Sequence, residues 1–432
     1  MNEAAEICSQ LIQIDTTNHG DNLGPGERRA AEYVAELLNA AGVEATLLEI
    51  SPRRTNVVAR VQGNNQSVPP LLIHGHLDTV PADAAGWTKN PLSGEIHEGF
   101  VWGRGAIDMK GSCASIIALV RAWARKGQKP ARDIVLAFTA DEESTGEYGA
   151  YFLAQRHREF FDGCREAISE SGGFSMKCKG KTVYPVAIGE RGIAWLRLKA
   201  DGVAGHGSRP SPRNAVAEIC HALSRISAHR WPLDMTGIAH TVLLELQKAF
   251  GSTIDLERLE EEAVRLGPAV NLLSSAARNS ANTTMLKAGD KVNVIPSSAE
   301  AHVDGRFLPG QKMQFFATLR ELLGEHVDYD VVNLEESASA DLASPTFAAM
   351  CDALRSEDPD GHPVPYVMSG GTDAKAFANI GIQSFGFSPL QLPSSLNYWA
   401  LFHGVDERIP VDGLAFGVRV LDKFLRESRD EM

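Results

Sequence analysis

The chain is 432 residues long, 44% hydrophobic and 22% charged, which is the composition of a soluble globular protein with more length than one ordinary core absorbs, so two domains are expected. A net charge of -13 disfavours nucleic acid as a partner, because that binding depends on cationic contacts to phosphate. No apolar run approaches the roughly 20 residues that span a bilayer, and the acidic start Met1-Asn2-Glu3-Ala4-Ala5-Glu6 lacks the basic and apolar regions of a secretion leader. The six cysteines, at positions 8, 113, 164, 178, 220 and 351, are scattered singly, as free thiols in a reducing cytosol would be. The expected protein is cytoplasmic, with a small molecule or peptide as its partner.

Apolar spacing predicts helices over residues 3–14, with Ile7, Leu11 and Ile14 on one face, and over 26–41, with Ala30, Val34, Leu37 and Leu38, stopped by Gly42. Strand-like runs follow at 45–50, 56–61 and 71–74. Residues 112–126 carry Ile116, Leu119, Val120 and Trp123 at helical spacing, and the fully apolar run 134–139 is a buried strand candidate. Strands and helices alternating in this way build an α/β sheet covered by helices on both faces, with the active site at the carboxyl ends of its strands. From about Ala187 to Leu308 the texture changes. Residues 192–200 alternate like a half-exposed strand, 214–226 read as a helix, and 283–294 and 299–307 as further strands. This predicts an inserted α+β domain at 187–308, between a first catalytic segment at 1–186 and a second at 309–432. The second segment closes with a helix near 413–426 carrying Leu414, Phe416, Val418, Leu421 and Leu425.

His76 and Asp78 stand in His74-Gly75-His76-Leu77-Asp78-Thr79-Val80-Pro81, directly after Leu71-Leu72-Ile73. A ligand-type His at a strand end, with a carboxylate two positions on to hold its ring, is how proteins begin a metal site. Further along come Gly103-Arg104-Gly105-Ala106-Ile107-Asp108-Met109-Lys110-Gly111, Thr139-Ala140-Asp141-Glu142-Glu143, Ser169-Glu170-Ser171-Gly172-Gly173 and His403-Gly404-Val405-Asp406-Glu407. Each lies where an apolar run meets a polar or glycine-rich turn. Taken alone, Asp108 is a turn former or helix cap, and Glu142-Glu143 a solvated acidic face. Together, His76, Asp108, Glu143, Glu170 and His403 offer the mixture of nitrogen and oxygen donors that suits zinc. Adjacent residues on an emerging strand point to opposite sides, so one of Glu142 and Glu143 is expected to bind metal while the other stays free for proton transfer. His206, in Ala204-Gly205-His206-Gly207-Ser208-Arg209-Pro210, is by itself a loop histidine, and His157, His229 and His326 have no motif around them.

The ordered set His-x-Asp-x-Val-Pro from residue 76, Gly-Arg-Gly-x-x-Asp-Met-Lys-Gly from 103, Asp-Glu-Glu from 141, Ser-Glu-x-Gly-Gly from 169, Gly-His-Gly-Ser from 205 and the late His403 resembles the M20 family of metallopeptidases. Members of that family include acetylornithine deacetylase, succinyl-diaminopimelate desuccinylase, aminoacylase 1 and glutamate carboxypeptidase. The likeness runs from about residue 5 to residue 425. It implies a di-zinc exopeptidase-type sheet whose inserted domain is both a lid and a dimerisation surface. It further implies that Asp108 bridges two Zn2+ ions, for which Co2+ or Mn2+ are possible substitutes. His76 and Glu170 would complete one site, and Glu143 and His403 the other. Asp78 would orient His76, and Glu142 would be the general base. Asp108-Met109 becomes a candidate cis peptide, and His206 would reach the neighbouring active site in a homodimer. Arg306, in Asp304-Gly305-Arg306-Phe307-Leu308-Pro309-Gly310, matches the family's Arg for the substrate carboxylate. Asn282 stands where relatives have an Asn near the substrate carbonyl, and Gly371 and Thr372 resemble a loop that also meets that carboxylate. Tyr398, Trp399 and Phe402 are candidate pocket walls.

There are two departures. The stretch 228–281 is longer than the smallest lids of the family and resembles those of the larger aminoacylase and carboxypeptidase members, and Ser171 replaces a glycine that many relatives carry. The implied activity is hydrolysis of the amide bond of a small N-acyl amino acid or dipeptide with a free carboxylate. An N-carbamoyl amino acid amidohydrolase or a tripeptidase-type aminopeptidase would use the same site. A catalytically dead binding protein is the alternative of another class, which the complete ligand set disfavours.

Overall fold

The structure is a computed structural model that describes residues 2–20 and 22–427, the side chain of Glu260 apart. Among these residues a ten-stranded mixed sheet runs in the order Ala45–Ser51, Arg54–Val61, Ile134–Thr139, Leu71–His76, Glu166–Ser169, Gln383–Gly386, Lys181–Glu190 and Ala338–Ser339. Gly361–Met368 and Met176–Cys178 also pair with Lys181–Glu190. Leu71–His76 is parallel to both Ile134–Thr139 and Glu166–Ser169, and Gln383–Gly386 is parallel to Glu166–Ser169, so their carboxyl ends lie along one edge of the sheet.

Every residue of Leu71–His76 and of Ile134–Thr139 is buried, as strands covered on both faces require. Alternate residues divide between two cores. Leu71, Ile73, Ile134, Leu136 and Phe138 pack with Leu11, Ile117, Val120 and Leu421, whereas Leu72, Val135 and Ala137 pack with Leu153, Phe161 and Phe377. Helices Glu3–Gln13, Arg28–Ala40, Gly111–Lys126 and Val411–Arg426 therefore cover one face, and Ala150–Arg156 and Ala374–Ala378 the other. None of the described helices is long and apolar enough to cross a membrane.

A second sheet of four antiparallel strands is ordered Ser280–Ala288, Ser298–Phe307, Gly192–Asp201 and Val327–Glu335. Helices Ala215–Ala228 and Lys312–Leu323 bury Ile219, Ile226, Phe315 and Leu319 against Leu196, Leu198 and Val303 on its inner face. Its limits differ from the expected 187–308. Lys181–Glu190 belongs wholly to the large sheet, so the chain crosses at Arg191. Lys312–Leu323 and Val327–Glu335, which fall in the expected second catalytic segment, complete the smaller unit, because Val327–Glu335 pairs with Gly192–Asp201. Conversely, Gly237–Phe250 and Val270–Ala277 lie within the expected insert but place Ala239, Val242, Leu246, Leu272 and Leu273 in the core of the large sheet, with Tyr184, Val186 and Tyr366. Periodicity reveals that a segment has an apolar face and leaves open which of two sheets that face meets. The strand expected at 283–294 ends at Ala288, and Val294–Ile295 pairs instead with Gly205–His206.

Candidate metal centre and active-site cavity

His76 is the last residue of its strand, Glu143 follows the strand ending at Thr139, and Glu170 follows the strand ending at Ser169. Asp108 lies in the turn before helix Gly111–Lys126, with a cis peptide to Met109, and His403 lies just past the short helix Tyr398–Leu401. Folding brings them together. His76 Nε2 stands 3.0 Å from Asp108 Oδ1 and 3.9 Å from Glu170 Oε1. His403 Nε2 stands 3.2 Å from Asp108 Oδ2 and 3.0 Å from Glu143 Oε2. Two donor sets, His76 with Asp108 and Glu170, and Glu143 with Asp108 and His403, thus share one carboxylate, the ligand atoms of each set lying within 4.8 Å of one another. Glu142 belongs to neither set, yet its Oε2 is 3.9 Å from His76 Nε2.

Buried groups hold these side chains in place. His76 Nδ1 lies 3.0 Å from the Asp78 carbonyl oxygen and 3.5 Å from its carboxylate Oδ1. The Asp78 carboxylate also accepts the backbone N–H of Glu142 at 3.2 Å and of Glu143 at 3.1 Å. Asp141 takes a left-handed φ of 65°, which ends the strand, so Glu142 and Glu143 sit in a turn and both line the same cavity. This replaces the expected division between opposite sides of a strand: the turn presents both carboxylates together, and Asp78 fixes the pair. The Asn18 amide donates to Asp78 Oδ2 at 2.9 Å and to Asp141 Oδ1 at 3.1 Å, while its oxygen accepts from the buried Arg54 guanidinium at 2.9 Å. Arg54 is paired in turn with buried Glu27.

On the other side, fully buried Glu407 accepts from the backbone N–H groups of Gly105, Ile107 and Asp108 at 3.1, 2.7 and 3.1 Å and from Arg104 Nη1 at 2.6 Å. Arg104 Nη2 donates to the His403 carbonyl at 3.0 Å, which ties the Asp108 turn to the His403 loop. Neither Asn18 nor Arg54 stands in a motif, and the only sequence signal for Glu407 is its place next to His403.

The electrostatics fit a cation. Burial pushes the carboxyls of Glu142 and Glu170 well above the usual carboxylate range, with repulsion from Glu170 and Glu143 adding at Glu142 and from Asp108 and Glu143 at Glu170, against the pull of His76. Glu143 is raised by burial and by Asp108, and its Oε1 is buried without a hydrogen-bond partner. Burial opposes charge on His76, but Glu142, Asp108, Asp78 and Glu170 outweigh it and raise its pKa. Hydrogen bonds to Asp108 and Glu143 raise His403 to about 10. Carboxylates crowded into a buried place, one oxygen of them unpartnered, are the donor set that a divalent metal neutralises.

The cluster opens on a cavity of about 860 Å³, whose lining includes Gly371, Thr372, Tyr398, Trp399 and Phe402. Thr372 donates its backbone N–H at 3.0 Å, and its hydroxyl, to buried Glu190. His76 and Asp78 stand behind this wall, and three residues expected to act on substrate, Arg306, Asn282 and His206, are also absent from its lining. Arg306 holds Asp304 through Nε and Nη2, at 2.6 and 2.9 Å, and its Nη1 donates to the Ser369 carbonyl at 3.0 Å, directly behind the 370–372 turn. Asn282 is exposed on Ser280–Ala288, and His206 is exposed on Gly205–His206 with its ring on Ser208 at 2.9 Å.

Comparison with known proteins places the chain in a family. The profile of peptidase family M20/M25/M40 matches residues 72–427. Similar curated proteins include the N-fatty-acyl-amino acid synthase/hydrolase of Mus musculus, 28% identical over 98% of this chain and 87% of that one, and aminoacylase-1 of Sus scrofa, 26% identical over 97% and 93%. Among solved structures, an M20 family metallo-carboxypeptidase from Sulfolobus solfataricus superposes with a TM-score of 0.72 at 18% identity, covering 99% of both chains. With most of its length matched by the family profile, the chain belongs to peptidase family M20/M25/M40 and is a metal-dependent hydrolase.

Proposed function

We propose that the cluster holds two zinc ions, one on His76, Asp108 and Glu170 and one on Asp108, Glu143 and His403, and that the protein hydrolyses the amide bond of an N-acyl amino acid or dipeptide with a free carboxylate. Imidazole and carboxylate donors suit zinc and also admit cobalt or manganese. When bound, the ions lower the pKa of a water and polarise the scissile carbonyl. Glu142, beside the donor sets and in neither, takes the proton from the attacking water and returns it to the leaving nitrogen, so that amide and water become carboxylic acid and amine. Asp78 keeps His76 in register and fixes the turn that carries Glu142 and Glu143. Arg306, with Gly371 and Thr372 of the cavity wall, is the proposed partner of the substrate carboxylate and Asn282 that of its carbonyl, although Arg306 and Asn282 lie outside the cavity lining and the Thr372 donors are held by Glu190. His206 acts from the other subunit of a homodimer, on the negative charge that develops at the carbonyl oxygen, where one such donor contributes about 100-fold to 1000-fold. Its exposure on the lid agrees with a role outside its own cavity. The names of the mouse and pig relatives point to the same bond.

The observation that carries this reading is one carboxylate shared by two donor sets, with a further carboxylate left over next to them. Glu142→Ala is expected to retain the metal content of the wild type and to lose turnover of N-acyl amino acids and dipeptides by at least about 100-fold. Wild-type turnover by that variant would remove Glu142 from the mechanism.

A further inference from the structure

We infer that the crossing between the two sheets holds a site for an oxyanion, in which the Arg278 guanidinium and the Ser280 hydroxyl are the direct partners and Arg191 and Arg306 supply supporting charge. The backbone brings these groups together. The chain passes from the large sheet to the smaller one at Arg191, and again at 278–280, between helix Val270–Ala277 and strand Ser280–Ala288. Arg278 is extended, with φ -150° and ψ 150°, so its side chain and that of Ser280 fall on one side of the chain. Asn279 between them is buried and accepts the Leu308 N–H at 2.8 Å. Ser280 stands opposite Arg306 in the strand pairing. Arg191 Nη1 donates to the Ser280 hydroxyl at 3.1 Å, and Nη2 to the Arg278 carbonyl at 2.7 Å.

Cations gathered at one crossing need counter-charge, and the chain supplies only part of it. Arg306 is engaged at each of its nitrogens, by Asp304 or by the Ser369 carbonyl. Arg191 is buried and held by neutral acceptors alone, the carbonyls of Ser274, Ser275 and Arg278 and the hydroxyl of Ser280. Burial, with repulsion from Arg306 and Arg278, lowers its pKa to about 10, which leaves it charged at neutral pH. Glu335, a further carboxylate that feels Arg306, is paired with Lys375 at 2.7 Å. The Arg278 side chain has no hydrogen-bond or ion-pair partner among the described residues, and its Nε is buried. A buried donor left unpaired is costly, and a chain with 55 acidic residues against 42 Lys and Arg has carboxylates enough to pair an arginine needed only for structure. The Arg278 fork, with the hydrogen of a Ser280 hydroxyl whose oxygen accepts from Arg191, matches a carboxylate or another oxyanion. Arg278 lies outside the cavity lining but directly behind it: the carbonyls of Ser275 and Ser369, both lining residues, accept from Arg191 and Arg306. The oxyanion is either the carboxylate of the substrate, which rests on the amide-hydrolase reading above, or a free inorganic anion, which does not.

The test compares the full chain loaded with zinc and its Arg278→Gln variant in two ways. The first is the ratio of kcat/KM for N-acetylmethionine over its carboxamide, which differ only in the carboxylate. The second is calorimetric titration with sodium sulfate at fixed ionic strength, where any binding to the metals is common to both proteins and cancels. Losing a charge-assisted hydrogen bond lowers affinity by about tenfold to 100-fold. A fall of that size in the acid-to-amide ratio, with metal content unchanged, identifies the substrate carboxylate as the ligand. An unchanged ratio with sulfate affinity lowered by at least about tenfold identifies a free anion. Arg278→Lys keeps the charge without the fork and is expected to lose less than Arg278→Gln in whichever readout responds. Equal ratios together with equal sulfate affinities in the wild type and Arg278→Gln would overturn the site. If Arg278→Gln does not fold, Arg278→Lys and Ser280→Ala carry the same two comparisons. If the wild type turns over neither substrate, the hydrolase reading falls, and the sulfate titration decides the site by itself.

Discussion

Glu407→Gln isolates the strut beneath the proposed metal site. In the wild type, Oε1 accepts from Ile107 and Asp108, and Oε2 accepts from Gly105 and Arg104. An amide keeps one oxygen, so whichever way it turns, two of these four donors face an NH2 group that cannot accept. Glu407 is fully buried and the Arg104 side chain is 5% exposed, so water does not replace what is lost. A charge-assisted hydrogen bond contributes about 1.5–3 kcal/mol, and breaking one partner of a buried ion pair costs about 3–5 kcal/mol. The two overlap, which places the expected loss at about 3–5 kcal/mol in urea unfolding of the metal-free protein. Since the donors released belong to the turn that carries Asp108, metal affinity measured by competition with a chelator should also fall by about tenfold to 100-fold. A stability change under about 1 kcal/mol together with unchanged metal affinity would refute the idea that Glu407 holds this turn.

Asn18→Ala removes the amide that bridges Asp78 and Asp141; kcat and metal affinity should each drop by about tenfold to 100-fold with KM little changed, and wild-type values for both would show that the bridge is idle. Ser171 has a left-handed φ of 64° beside Glu170, so Ser171→Gly should raise stability by about 0.5–1 kcal/mol, and a destabilised variant in thermal unfolding would contradict that. Burial lifts the Glu190 carboxyl to about 7 from 4.5, against the pull of Thr372 and Lys375. Because its folded pKa lies above the unfolded one, its contribution to stability is fully present below about 4.5 and is lost as pH rises through about 7. Against Glu190→Gln, the wild type should therefore lose about 3 kcal/mol across that window, and stability curves that stay parallel in pH would reject the shift.

Local chemistry in the chain determined a good deal. The short apolar runs before His76 and before Asp141 were strand candidates in the sequence, and the structure makes both of them strands buried on both faces, with the polar residues that follow at the carboxyl ends. The motif residues His76, Asp108, Glu143, Glu170 and His403 were legible because each closes an apolar run and together they carry one kind of donor chemistry. Only tertiary structure decided the rest. The turn at Asp141 puts Glu142 and Glu143 on one cavity wall, an outcome of a backbone conformation and of hydrogen bonds to Asp78, neither of which leaves a periodic trace. Asn18, Arg54 and Glu407 act on residues far away in the chain, and a single buried polar side chain has no pattern until its partners are in contact. The same holds for Lys312–Leu323, Val327–Glu335 and Val270–Ala277. An apolar face announces that it will be buried, but strand pairing and helix packing choose the sheet that buries it, and here that choice also set which residues wall the cavity.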